Sequence, residues 1–132
     1  MRLLQMALLL MLTTLPATSQ SVADTQWVGG VVPHHLLVAD EIERFWQEAY
    51  QRSAADIIIL IGPDHDNLGR NVVSTRDDKV TYSDHSITTH LPYIAEFFRG
   101  ATVVPMVMRS DGTKQQILQL AHSLRSQYQG HN

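Results

Sequence analysis

The chain has 132 residues, no cysteine and a formal net charge of −3 at pH 7, which limits it to a single domain. Without a basic surplus, nucleic acid is not expected as a partner. The lack of cysteine excludes disulfides, thiolate metal ligands and a cysteine nucleophile.

Residues 1–23 have the pattern of a secretory signal peptide. A basic start at Arg2 precedes a leucine-rich run and a small-residue region, with candidate cleavage positions after Ser19 and Ala23. The apolar run is too short for a transmembrane helix, which needs about 20 residues. The alternative is an apolar N-terminal helix that packs on the domain. We expect an exported protein, periplasmic or extracellular, with no membrane span after cleavage and a mature domain of residues 24–132.

The mature chain alternates predicted strands with predicted helices. Apolar β-branched runs predict buried strands, and apolar residues at helical spacing predict amphipathic helices. The predicted strands are 28–33, 56–61, 71–75 and 102–108, and the predicted helices are 38–51, a stretch 84–98 interrupted at Pro92, and 113–128. The polar stretch 76–83 is predicted as a loop, and Pro105 favours an edge or irregular position for the last strand. This order is typical of an α/β domain, a three-layer sandwich with a mainly parallel sheet of about four strands.

Two of the predicted strands end in histidine-bearing turns. Pro33-His34-His35 follows the first strand, and Gly62-Pro63-Asp64-His65 follows the second. Because a helix-length segment joins them, both turns should lie at the carboxyl edge of a parallel sheet. Strands about 4.8 Å apart would let His34 and His65 converge on one ion or substrate atom, and imidazole is the commonest metal ligand. The alternative is structural: a histidine that caps the next helix, or a polar Pro-Asp turn.

The other histidines leave more alternatives open. His85 begins the second helical stretch, where it either contacts a substrate anion or lies in solvent beside an N-cap at Ser83 or Asp84. His90 lies near an apolar face and is either functional or a hydrogen-bonded core residue. Positions in solvent are predicted for His122 and His131. Phosphate-binding glycine loops, Gly-x-Ser-x-Gly and His-Glu-x-x-His do not occur in the sequence.

Taken together, these motifs resemble the Memo family, also named AmmeMemoRadiSam system protein B. The resemblance covers about residues 28–124. Its segments, in chain order, are Val31-Val32-Pro33-His34-His35-Leu36-Leu37, Ile58-Ile59-Leu60-Ile61-Gly62-Pro63-Asp64-His65, Asp84-His85-Ser86-Ile87, His90-Leu91-Pro92-Tyr93 and Val103-Val104-Pro105-Met106. The resemblance implies a fold similar to that of class III extradiol ring-cleaving dioxygenases. It further implies that His34 and His65 bind iron or copper and that His85 lines the same cleft.

The sequence departs from the family pattern in two places. First, the segment 76–83 occupies a position where family members carry a few dozen residues. Second, this sequence has no counterpart of the family's C-terminal half, which supplies further site residues. The resemblance therefore predicts a shortened or fragmentary member, incomplete at its C-terminus. Such a chain should expose a sheet edge or an apolar helix face and should be marginally stable or self-associate.

The resulting hypothesis is a Memo-like metal-binding protein with a mononuclear site at His34 and His65. Asp64 and His85 are the candidate acid–base residues. Iron or copper is the expected metal, zinc is the other option, and iron-dependent oxygen chemistry on a small-molecule substrate is the implied activity. Two alternatives belong to other classes: a non-catalytic metal-binding or interaction module, and a metal-assisted hydrolase.

Overall fold

The computed structural model describes residues 26–131, so the predicted signal peptide, 1–23, lies outside the described residues. The elements are α1 (Ala39–Arg52), β1 (Ile57–Pro63), β2 (Val73–Ser74), α2 (Lys79–Ser83), α3 (His85–Thr88), α4 (Leu91–Phe97), β3 (Thr102–Met108) and α5 (Lys114–Gln127). A 3-10 turn, Leu36–Val38, leads directly into α1. The predicted α/β class is confirmed.

The sheet within residues 26–131 has three strands in the order β1-β3-β2. β1 and β3 are parallel, with Ile57 opposite Thr102, whereas β2 is antiparallel to β3. The sheet is therefore mixed and smaller than predicted. A mainly parallel sheet of about four strands in a three-layer sandwich is not confirmed.

The first predicted strand, 28–33, is not formed in this structure. Among the described residues this segment has no ladder pairing, and Val28 and Val31 are 99% and 98% exposed. The two glycines at its centre explain the difference, because glycine loses the most backbone entropy on ordering and offers no side chain to pack. The prediction of a strand over 28–33 rested on the valines and was wrong.

The predicted helix 84–98 is divided in two. α3 ends before His90, and α4 begins at Leu91 with Pro92 in its first turn, where the missing proline N–H breaks no helical hydrogen bond. The predicted break near Pro92 is thus confirmed. The loop predicted over 76–83 was wrong, because this stretch contains α2, whose first turn is capped by the Asp78 carboxylate.

Two other details of the pattern had different outcomes. α5 begins with the predicted capping box between Thr113 and Gln116, which is confirmed. The edge position that Pro105 favoured for the last strand is wrong, because this strand, β3, is the central one of the three, although β2 pairs only with Val107 and Met108. The upstream part of β3, which contains the proline, therefore has a neighbouring strand on one side only among the described residues.

One apolar core joins α1, the long strands and the helices from α2 to α4. Ile42 and Ile87 are 0% exposed at its centre. α5, by contrast, buries none of its residues, and Ile117 and Leu118 on it are 43% and 51% exposed. The expected exposed helix face is therefore present. No helix formed by residues 26–131 is long and apolar enough to span a membrane.

A buried histidine connects α1 to the start of α4. His90 is 2% exposed, and Trp46 Nε1–H donates to its Nδ1 over 3.2 Å. Burial lowers the pKa of His90 to about 4, with a further contribution from His34. The ring is therefore neutral at pH 7, which confirms the alternative of a hydrogen-bonded core histidine.

Acid should destabilise the protein through His90. Its pKa is 6.5 in an unperturbed chain and about 4 in the fold, so between these values the unfolded state binds a proton that the folded state does not. The free energy of unfolding is therefore highest above about pH 6.5. It falls by on the order of 3 kcal/mol as the pH decreases towards 4. Denaturant titrations across this interval measure the free energy of unfolding.

His90→Gln keeps an acceptor for Trp46 but does not titrate, so its stability should depend less on pH in the same interval. His122→Gln, at an exposed position, is the matched control and should retain the wild-type dependence. If His90→Gln had the same pH dependence as the wild type, the assignment of the acid sensitivity to His90 would be wrong.

Candidate metal centre

Three histidines meet beside the carboxyl end of β1. His65 lies two residues beyond this strand, His85 is the first residue of α3, and His34 precedes the 3-10 turn. One nitrogen from each ring lies within 4.8 Å of the nitrogens of the other two. The predicted proximity of His34 and His65 is confirmed, and His85, for which the resemblance implies a place in the same cleft, lies beside them.

A close contact between α3 and β1 places His85 at this edge. A Cβ atom at Gly62 would lie 2.2 Å from Ser86 Oγ, so glycine is needed where the helix approaches the strand. Ser86 Oγ–H also donates to the Pro63 carbonyl over 3.0 Å. These contacts hold the start of α3, and hence His85, against the end of β1.

The Asp84 carboxylate links His65 to α3. Its Oδ1 lies 2.9 Å from His65 Nδ1 and accepts the Ser86 amide over 2.9 Å, while its Oδ2 accepts the His65 amide over 3.0 Å. Burial raises the pKa of Asp84, but the hydrogen bonds from His65 and Ser86 outweigh this effect and lower it to about 2. Asp84 is therefore an anion at neutral pH.

This anion determines which nitrogen of His65 carries the proton. Because a carboxylate only accepts, Nδ1 of His65 must donate, and the neutral ring then presents a lone pair at Nε2. His34 Nε2 lies 3.1 Å from that atom. Either His34 donates its Nε2–H to His65, or the two lone pairs face a shared cation.

The three rings lie close together, and the surroundings of His34 favour its neutral form. The ring centroids of His65 and His85 are 4.0 Å apart and stacked, and those of His34 and His65 are 4.9 Å apart. Burial lowers the pKa of His34, and positive charge on His65 or His85 lowers it further. Neutral imidazole is the form that binds metal ions.

The cluster has dimensions suited to a transition metal ion. Zinc binds imidazole nitrogen at about 2.0–2.1 Å, so two tetrahedral ligands of one ion lie about 3.3 Å apart. The 3.1 Å between the Nε2 atoms of His34 and His65 is close to this value. The side chain of His85 is 55% exposed and has room to rotate towards the other two. A set of imidazoles suits zinc, copper or iron.

Asp64 lies next to His65 in the chain, but its carboxylate has other partners. It is 3% exposed and accepts the amides of Leu68 and Gly69 over 3.1 and 2.8 Å. These bonds close the loop that follows β1. The acid–base role predicted for Asp64 stays a prediction, while Asp84 is the carboxylate that contacts His65.

The remaining histidines have the following positions. His35 Nδ1 accepts the Leu37 amide over 3.3 Å, so the capping alternative is confirmed for this residue. His122 is exposed, as predicted, and the exposed His131 lies 3.0 Å from Asp56 Oδ2.

The sequence identifies Asp84 as a candidate helix cap, and this is confirmed. It does not identify Asp84 as the partner of His65, because 19 residues separate the two and no local pattern reports such a contact. The only available signal was an acidic residue directly before a histidine at a helix start.

Comparisons of the chain with protein-family models, with curated proteins and with solved structures find no match. The resemblance to the Memo family therefore rests on the motifs alone and stays a prediction. The site has to be interpreted from its own geometry.

Asp84→Asn should weaken metal binding more than it weakens folding. Asparagine is also a good N-cap, so we expect at most about 1 kcal/mol of lost stability. The lost charge no longer holds the proton on Nδ1 of His65, and the affinity for zinc should fall about 10–100-fold. Calorimetric titration with Zn²⁺ and thermal melting measure the two effects.

Asp78→Asn is the matched control. Asp78 also caps a short helix, by accepting the Val80 amide, but its other oxygen accepts from Ser74 rather than from a histidine. This variant should lose a similar amount of stability and keep the wild-type zinc affinity. If both variants bound zinc as the wild type does, Asp84 would not orient a metal ligand.

Proposed function

We propose that the protein is a metal-dependent enzyme with one mononuclear centre. In this proposal His34, His65 and His85 bind a divalent transition metal ion, and Asp84 orients His65. The observation that carries the proposal is the convergence of three histidine nitrogens within 4.8 Å. Catalytic centres typically combine three protein ligands with an open position, whereas structural sites are closed. The exposure of His65 and His85 leaves space for a small-molecule substrate at such a position.

The identity of the metal decides the class of reaction. Three imidazoles are compatible with iron, copper and zinc, and the resemblance to the Memo family favours iron or copper. The bound ion would polarise a substrate or, where it is redox-active, support oxygen chemistry. We therefore propose iron-dependent oxygen chemistry on a small molecule as the first activity. The all-imidazole ligand set is also used by zinc enzymes, so metal-assisted hydrolysis is the second candidate.

The residues of the site have separate tasks in this proposal. Asp84 holds the Nδ1 proton of His65, which keeps Nε2 free and makes it a better ligand. His34 remains neutral at pH 7 because burial lowers its pKa. His85 is proposed as a third ligand rather than as an acid–base residue, because one of its nitrogens lies within 4.8 Å of those of His34 and His65.

Three further parts of the proposal rest on the sequence. The order of predicted strands and helices supports a mainly parallel sheet of about four strands in a three-layer sandwich, and the pattern of residues 1–23 supports export. The resemblance to a shortened Memo family member supports self-association. The uncovered face of α5 is a surface through which copies of the chain could associate.

Replacement of any one of the three histidines should remove most of the bound metal. His34→Ala, His65→Ala and His85→Ala each delete a ligand, so the loss in affinity should exceed the roughly 10–100-fold typical of changes around the ligands. Each variant is reconstituted separately with Fe²⁺, Cu²⁺ and Zn²⁺, and metal content is measured by mass spectrometry. Circular dichroism should show unchanged helical content.

His122→Ala is the control, because this exposed histidine lies on α5 outside the cluster. It should keep full metal content. If the three cluster variants also kept full metal content, the proposed centre would be wrong. Metal that binds without any oxygen or hydrolytic chemistry would instead support the non-catalytic alternative.

A further inference from the structure

A groove of about 420 Å³ runs along the free edge of β1. Four consecutive residues of this strand, 58–61, line it together with Phe45 and Trp46 of α1. Because alternate residues of a strand face opposite sides of a sheet, a consecutive run can line a groove only along the strand edge. On that edge β1 has no neighbouring strand among the described residues.

The segment 28–33, here called the strap, borders the same groove and is held at both ends. At one end the Trp27 amide donates to the Arg52 carbonyl over 3.0 Å, and the indole lies against Phe45 with ring centroids 5.9 Å apart. At the other end His34 belongs to the histidine cluster. Between these anchors, Val28 and Val31 are almost wholly exposed. β-Branched side chains thus remain in water beside an edge of β1 that pairs with no strand in the described part of the chain.

We propose that the strap closes onto β1 as a fourth strand when a metal ion binds the three histidines. This inference rests on the proposed metal centre. An ion shared by His34 and His65 would hold the second end of the strap to the turn after β1 more firmly than the 3.1 Å contact between the two rings does. The strap would then lose backbone freedom that it retains without the ion. Closure would satisfy backbone groups along the edge and bury apolar surface. The entropy cost of ordering Gly29 and Gly30 opposes closure when no ion is bound.

The two-residue period of a strand indicates which side chain moves most. Val32 already packs against the core, and a Cβ atom at Gly30 would lie 2.7 Å from the ring of Phe45, which also packs on the core, so both face the core. Val28 then falls on the same side, although it is now 99% exposed. Closure should bury it. Because coupling is reciprocal, a change that prevents this burial must weaken metal binding.

Hydrogen exchange of the full chain with and without Zn²⁺ tests the inference. Zinc should slow exchange at every second amide within residues 29–32, those that would donate to β1, and leave the amides of α5 unchanged. A zinc titration of the same sample separates the two levels of the proposal. Zinc bound at one equivalent with unchanged exchange in the strap overturns the inference and leaves the metal centre standing. A failure to bind any of Zn²⁺, Fe²⁺ and Cu²⁺ overturns both.

Val28→Asp provides an independent readout. Val28 is exposed in the open form, in which the strap does not pair with β1. This form tolerates the change, so the protein should fold normally. The charge opposes burial in the closed form, and zinc affinity should fall at least about fivefold. Leu118→Asp, at an exposed position on α5, is the matched control and should bind zinc as the wild type does. Equal zinc affinity in Val28→Asp and the wild type would overturn the inference.

Discussion

The Asp84 carboxylate is the interaction on which the site depends. It is 8% exposed, and a buried anion is tolerated only when hydrogen bonds compensate for its lost hydration. The amides of His65 and Ser86 and the ring of His65 provide these bonds. Asp84 therefore connects the end of β1 to the start of α3 and orients the imidazole of His65. A change at Asp84 affects the helix cap and the histidine together.

Local patterns predicted the parts of the fold in which side-chain periodicity dominates. The helical spacing over 38–51 and 113–128 and the apolar runs of β1 and β3 correspond to elements of the structure. The pattern failed at 28–33, where two glycines outweigh three valines, and at 76–83, where the Asp78 cap supports a short helix in a polar sequence. In both places the backbone decided the structure: the entropy of the glycines opposed a strand at 28–33, and the helix cap favoured a helix at 76–83.

The candidate site was predictable only in part. The proximity of His34 and His65 follows from the sequence, although one premise was wrong. His34 follows a segment that pairs with no strand among residues 26–131, and it precedes the 3-10 turn that leads into α1. The joining of Asp84 and His85 to this pair depends on the packing of Ser86 against Gly62. That contact lies between distant parts of the chain, and no single-sequence pattern encodes it.

The protonation of the His65 ring tests the account most directly, and long-range ¹H–¹⁵N NMR can measure it. We expect a proton on Nδ1 of His65, where Asp84 accepts it, and we expect Zn²⁺ to shift the ring nitrogens of His34, His65 and His85. The nitrogens of His90 and His122 should not move. A proton on Nε2 of His65, or zinc-induced shifts at His122 in place of the cluster, would contradict it.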